Sequence, residues 1–368
     1  MNVLTIIDSF KGTISSKRLG EIAKEELEKK NHHVDIIPVA DGGDGFCEAI
    51  EDVFKVHHTK YKEEKVTVHD PLGRLIDSSY LVDLNTNTAY IELARASGIS
   101  LLSIDELNPF ITSTYGFGEL ISDAIQKGYK RIVLGIGGSA TNDAGSGLLE
   151  ALGLLFLDKE KKIITNLNNE KLRLVESVDK TNLEEKIKDI EFIVLSDVTN
   201  PLLGKSGATY VFSPQKGAKK ADLEELESNI SCFARLNNEY INKAGSGAAG
   251  GVGYALQAYL NAKIYSGIDY ILDLVDYDNL VNKYDVIITG EGKIDRQSLD
   301  GKVVFQVIKR SMNKKIILVC GINELDDNDL SKYNINSIYS VVSGDVSVND
   351  SMSRPEYYYR KMVNNIEI

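Results

Sequence analysis

Four short stretches of this chain set charged side chains beside glycines at the ends of apolar runs. "DSFKG", residues 8–12, follows "VLTII" and brings Asp8, Ser9 and Lys11 to the place where open α/β sheets put their ligand groups. "DGGDG", residues 41–45, follows "VDIIPV" and offers Asp41 and Asp44 among glycines. Carboxylates so placed hold Mg²⁺ through oxygen or accept a proton from a hydroxyl. "SDVTNPLLGKSGATYVFSPQKG", residues 196–217, carries Asp197 and Asn200 at the end of "EFIVL", then Gln215 and Lys216 beside Gly217. Carboxylate, amide and ammonium together suit a phosphoryl acceptor. "TGEGKIDRQSLDGK", residues 289–302, presents Glu291, Lys293, Asp295, Ser298 and Lys302. A helix starting near Ser298 would aim its N-terminal N–H groups at the same edge and favour an anion there. Each stretch also has an ordinary reading: a solvated lysine, a capping turn, or an Asx- and proline-shaped loop.

A fifth stretch, "LGIGGSATNDAGSG", residues 134–147, follows the apolar run 131–134 and holds five glycines. Glycine is costly inside regular structure and useful where backbone turns sharply or approaches a ligand. It asks for a tight strand-to-helix turn, a ligand loop, or both, with Gly137, Gly138, Ser139, Thr141, Asn142 and Asp143 as the candidate contacts. "GSGAAG", residues 245–250, matches G-x-G-x-x-G in letters only, because a helical pattern precedes it where a dinucleotide site needs a strand. We expect a loop or close helix packing there. The one "GKS", residues 204–206, lacks the leading glycine of a P-loop.

Strand-like runs alternate with helical patterns at both ends of the chain, the signature of an α/β fold with a parallel sheet. "VLTII", "VDIIPV", "DVIITG", "KIILVC" and "IYSVV" are its five candidate strands. Between the two ends, "EKVTVHD", "SSYLVDL" and "TAYIELA" read as strands with no helix between them. The expected organisation is a discontinuous parallel-sheet domain, residues 1–56 and 280–368, with an inserted mixed α/β, β-rich domain, residues 57–279. Helices are expected at 15–30, 46–54 and 114–127, at 219–244 with Gly245 as the stop, and at 298–311.

The chain has 368 residues, 43% hydrophobic and 26% charged, a composition of ordinary globular proteins. Its net charge of −12 provides no basic stripe for a nucleic acid, although a few local cations and amides can still bind a small anion. No apolar run has the length of a membrane span. Cys47, Cys232 and Cys320 show neither zinc nor disulfide spacing, and "MNVLTIIDSFKG" lacks a basic leader, so a cytoplasmic protein is expected.

"DSFKGT", "PVADGGDGF", "IELARASGISLL", "TSTYGFGELI", "GIGGSATNDAGSG", "SDVTNPLLGKSGA", "FSPQKGA", "GSGAAGGVGYAL", "SGIDYILDL" and "ITGEGKIDRQSLDGK" stand in an order that resembles the bacterial glycerate kinase family, type I. The resemblance spans residues 3 to about 320. It implies ATP-dependent phosphorylation of D-glycerate to 2-phosphoglycerate, with the active site in a cleft between a flavodoxin-like domain and a β-rich one. A 3-phosphate product, a related hydroxy acid as acceptor, and a non-catalytic sensor are the alternatives. Asp44 stands where the family usually has glutamate, Lys293 where it has arginine, and "SRPEYYYRKMVNNIEI" at the C-terminus has little family character. Phosphoryl transfer needs positioning and charge neutralisation. Lys11, Lys216 and Lys302 are therefore expected on phosphate or carboxylate oxygens, and Asp41 or Asp295 on Mg²⁺ beside ATP. The base is one of Asp8, Asp41, Asp197 and Asp295, with Asp197 preferred. The expected partners are D-glycerate and ATP, with no nucleic acid or membrane and a homodimer left open.

Overall fold

The computed structural model describes residues 1–10, 13–39, 45–299, 303–311, 313–344 and 346–368. Lys11, Asp41, Asp44 and Lys302 lie outside them. The apolar runs at the chain ends become strands covered on both faces, as parallel sheets require: Val3, Ile6, Val286, Ile288, Ile316 and Leu318 are all buried. The sheet runs Ser337–Ser340, Lys315–Asn323, Val286–Ile294, Asn2–Ile7, His33–Ile36, every pair parallel. In chain order this is 2-1-3-4-5, the flavodoxin-like arrangement. Strand order reverses between Asn2–Ile7 and Val286–Ile294, and there the Asp8 N–H donates to the Gly290 carbonyl at 2.8 Å. The helix Ser16–Glu28 starts where the Ser15 hydroxyl accepts from the Arg18 N–H, and buries Leu19, Ile22, Ala23 and Leu27 at helical spacing.

A second sheet is mixed. Lys263–Tyr265, Glu191–Leu195, Arg131–Gly135 and Thr88–Glu92 are parallel neighbours, and Leu75–Asp83 and Tyr61–His69 continue it antiparallel. Three short strands, Ile163–Ile164, Leu155–Leu157 and Ser177–Asp179, form a small antiparallel sheet. Phe233 stacks on Tyr259 and meets Tyr254 edge-on in this core.

The chain divides into two compact units: Met1–Ala40, Ala49–His58 and Gly267–Ile368, against Asp41–Glu48 and Thr59–Ser266. One boundary falls inside the helix Phe46–Val56, because the Gly45 and Cys47 N–H groups donate to Glu92 at 2.9 and 3.0 Å. Residues 267–280 stay with the parallel sheet because Arg310 pairs with Asp273 and Asp278, and Tyr277 bonds Ser311.

Two helices differ from expectation. The long one ends at Ala234, and Asn237 leaves helical geometry within the 3₁₀ turn Arg235–Tyr240, as asparagines that compete for backbone groups tend to do. Ser298 lies in a single 3₁₀ turn, Arg296–Leu299, and the α-helix is Val303–Arg310. The Ser298 N–H already donates to the Asp295 carboxylate at 3.1 Å, so it is not offered to an anion. No helix among the described residues is long and apolar enough to cross a membrane.

Candidate active site

In the mixed sheet, three adjacent parallel strands end in register, with Glu92 opposite Gly135 and Gly135 opposite Leu195. Whatever follows each of them therefore emerges at one edge, the edge that carries ligands in parallel sheets. The glycine-rich loop follows Gly135. Gly138, at φ +68°, turns the backbone, and the Ile99 N–H and Ala140 N–H tie the loop to residues 97–99 through Gly138 O and Ser97 O. Asp143 is fully buried and accepts from Thr114 N–H, Thr114 Oγ1–H, Gly145 N–H and Gly147 N–H at 2.7–3.2 Å. Burial pushes its carboxyl up, and these four donors oppose the shift. Both oxygens are engaged, so Asp143 shapes the loop. Gly250 packs behind it at φ +68°, accepting from the Ala144 N–H at 3.0 Å, and a Cβ at residue 250 would sit 2.0 Å from Thr141 O. The glycines of "GSGAAG" thus serve close packing against this loop.

Lys216 comes from the turn Pro214–Lys216, is 1% exposed, and donates through Nζ to Ser139 Oγ and Thr141 O, both at 2.7 Å. Among the described residues it makes no ion pair. Burial pushes its ammonium down to about 7, with the Asp143 charge opposing. Thr141 Oγ1 and Asn142 Oδ1 are buried without a hydrogen-bond partner among the described residues. Buried polar atoms of this kind call for a partner, and a buried cation calls for an anion. Asp197 is exposed two residues beyond Leu195, and Gln215 is exposed beside Lys216. Asn200 helps shape the loop, its Nδ2 donating to Ser206 O and its backbone carbonyl accepting from Gly247 N–H.

In the parallel-sheet unit, Asp8 Oδ1 accepts from the Ser9 N–H at 2.7 Å, beside the reversal of strand order. Glu291 and Lys293 belong to the strand, whose pairing with Lys315–Asn323 extends to Ile294. They share one face of the strand, Glu291 buried and Lys293 exposed. Lys293 Nζ lies 3.0 Å from Glu324 and 3.6 Å from Asp295, and the Glu324 hydrogen bond raises its pKa.

A match to the glycerate kinase family extends over residues 3–367, beyond the quoted motifs and through the C-terminal segment. The chain belongs to the glycerate kinase family. A glycerate kinase of Bacillus subtilis (strain 168) is 36% identical, the alignment covering 100% of this chain and 97% of the relative. A glycerate 2-kinase of Escherichia coli (strain K12) is 35% identical over 93% and 91%. A crystal structure of a glycerate kinase 2 from Salmonella typhimurium LT2 superposes with a TM-score of 0.81 at 31% identity, covering 99% of this chain and 96% of that one. Membership makes this glycerate kinase family chain a phosphotransferase, and ATP-dependent phosphorylation of glycerate is its activity.

Glu92, Arg95 and Thr114 carry contacts around this sheet edge that the sequence motifs did not single out. Glu92 grips the start of the helix Phe46–Val56, Arg95 pairs with Glu48 at 2.7 Å, and both line a recess of about 550 Å³. All three stand inside the quoted motifs "IELARASGISLL" and "TSTYGFGELI". As for a metal, no group of three or more His, Cys, Asp or Glu among the described residues is placed to hold one. The half-buried Asp295 carboxylate suits the one-carboxylate share that Mg²⁺ takes when phosphates supply the rest.

Proposed function

We propose that this chain phosphorylates D-glycerate at its C2 hydroxyl with ATP, giving 2-phosphoglycerate and ADP. The observation that carries the reading is Lys216, a buried ammonium that makes no ion pair among the described residues, set on a glycine-rich loop at a parallel-sheet edge. A phosphate or carboxylate oxygen supplies the missing charge. The name of the Escherichia coli relative supports the 2-position.

In this reading Lys216, Lys11 and Lys302 neutralise substrate anions, and Ser139, Asn142 and the N–H groups near Gly137 and Gly138 orient them. Gln215 and Asn200 border the acceptor, and Asp8 and Ser9, with Glu291 and Lys293 of the strand Val286–Ile294, form the second set of contacts. Asp197, the exposed carboxylate at the same strand edge, takes the proton from the C2 hydroxyl as that oxygen attacks the γ-phosphorus and the bond to the ADP oxygen breaks. Mg²⁺ would be held by the nucleotide phosphates with Asp295 or Asp41, and supplies positive charge to the transferring group. Three free thiols, Cys47, Cys232 and Cys320, support a cytoplasmic setting.

Coupled ADP release, measured with D-glycerate for the wild type and Asp197→Asn, tests the proposal, with phosphorus NMR of the product. Glycerate-dependent ADP release and a phosphorus doublet from the single C2 proton are expected. Asp197→Asn should bind ATP and lose roughly 10²- to 10⁴-fold in kcat. A phosphorus triplet would assign the 3-phosphate instead, wild-type turnover in the variant would remove Asp197 from the role, and ADP release indifferent to glycerate would refute the acceptor.

A further inference from the structure

The C-terminal segment is fastened along the helix Ser16–Glu28, which directly follows the "DSFKG" loop. Its helix, Pro355–Val363, is clasped at the start by Arg18, whose guanidinium donates to both Glu356 carboxylate oxygens at 3.1 and 2.9 Å. Midway, Arg360 pairs with Glu25 at 2.7 Å and with Glu26. Beyond its end, Lys30 Nζ donates to Asn364 O at 2.6 Å and Ile366 O at 3.0 Å. Partners rising together in number, 356 with 18, 360 with 25 and 366 with 30, make the two segments parallel. Two planar forks and one buried carboxylate fix the register more than single exposed ion pairs would.

This docking sets one ring in a particular place. Tyr359 is fully buried, and its ring meets Phe10 edge-on at 5.6 Å between centroids and 85° between planes. Phe10 lies next to Ser9 and two residues from Asp8 in the loop assigned to substrate. Its backbone exchanges hydrogen bonds with Ile14 at 2.9 and 3.1 Å, and its carbonyl also accepts from Thr13 Oγ1. Asp8 is held separately, by its N–H to Gly290 O. The Phe10 side chain is therefore a second anchor of the loop, and the surface it rests on includes the chain's last helix. The Tyr359 hydroxyl is buried without a hydrogen-bond partner among the described residues, so what the residue contributes is the ring.

We propose that the C-terminal helix is a clamp on the substrate loop after the first strand, with Tyr359, acting through Phe10, a positioning residue for phosphoryl transfer. The proposal rests on the reading that Asp8 and Ser9 serve the substrates. Small displacements of positioning groups cost large factors in rate, and a loop freed at Phe10 permits them.

The test compares Tyr359→Ala, Tyr359→Phe and Val34→Ala in the full chain, each assayed well below its own melting temperature. Val34, fully buried in the same core but in the strand His33–Ile36, controls for lost stability. Tyr359→Ala should lose roughly 10- to 100-fold in kcat/KM, with kcat falling by more than KM rises. Tyr359→Phe should restore wild-type kinetics and melt a few degrees higher, roughly 2–4 °C, because an unsatisfied buried hydroxyl is gone. Val34→Ala should melt lower with near-normal kcat/KM. If Tyr359→Ala does not fold, Tyr359→Leu takes its place, with the same direction expected. Unchanged kcat/KM in the alanine or leucine variant overturns the clamp, as does an equal loss in Val34→Ala. Asp8→Asn separates the two levels. If it is impaired while Tyr359→Ala is not, the clamp alone fails; if it is fully active, the loop reading fails and takes the clamp with it.

Discussion

A lysine ammonium removed from water prefers to lose its proton, and burial puts Lys216 in that position on the glycine-rich loop, the Asp143 charge opposing. Its folded pKa of about 7 lies below the ordinary lysine value, so from about pH 7 upward the unfolded chain holds a proton that the folded chain has given up. Unfolding stability contributed by this group therefore rises with pH across that window, and below pH 7 the burial penalty is fully present. Anion binding has the opposite requirement, since it needs the charged form. Wild-type kcat/KM should fall as pH rises through about 7, the proton affinity of the free enzyme setting the midpoint. Lys216→Arg, charged at every pH, should lose about 10- to 100-fold in kcat/KM through mismatched geometry and lose the descending limb as well. A wild-type profile flat from acid to alkaline pH would contradict this role.

At the scale of elements, the loop and the start of the helix Ala248–Leu260 are one packed unit in which glycine carries the geometry. At residue 250, a methyl group faces both a left-handed backbone and a carbonyl oxygen 2.0 Å away. Gly73 has a similar φ of +83° in a hairpin turn, with nothing within 4 Å of where its Cβ would be. Gly250→Ala should therefore cost about 3 kcal/mol or more, and Gly73→Ala about 1 kcal/mol, in chemical denaturation. The first should also abolish most turnover, because Thr141 O is an acceptor for Lys216. Comparable costs at the two sites would show that left-handed geometry, and not packing, dominates.

For the whole molecule, a net charge of −12 repels free ATP, so nucleotide binding has to come from focused local cations and from a metal that reduces the charge of the ligand. With Mg²⁺ and ATP at about 100 times the dissociation constant, stability should rise by about 2.7 kcal/mol, read as a thermal shift. With ATP and EDTA the shift should shrink markedly and turnover should cease. An equal shift with and without the metal would remove Mg²⁺ from the binding step.

The letters alone carried the strand ends, the loops that follow them, the parallel-sheet class and the glycine-rich turn. These depend on periodicity and on residue types within a few positions, which any segment displays before folding. Strand order, and with it the reversal beside Asp8, waited on the return of residues 286–294 to pair with residues 2–7. Ser139 and Lys216 are 77 positions apart, and no spacing rule joins them. Glu92 holding the helix after "DGGDG", and the last helix seated beside Phe10, were equally hidden, as were the breaks at Asn237 and Ser298. Burial, desolvation and long-range hydrogen bonds are properties of what the chain places around a residue, so only the tertiary structure turned a lysine in "SPQKG" into a buried ammonium held by Ser139 and Thr141.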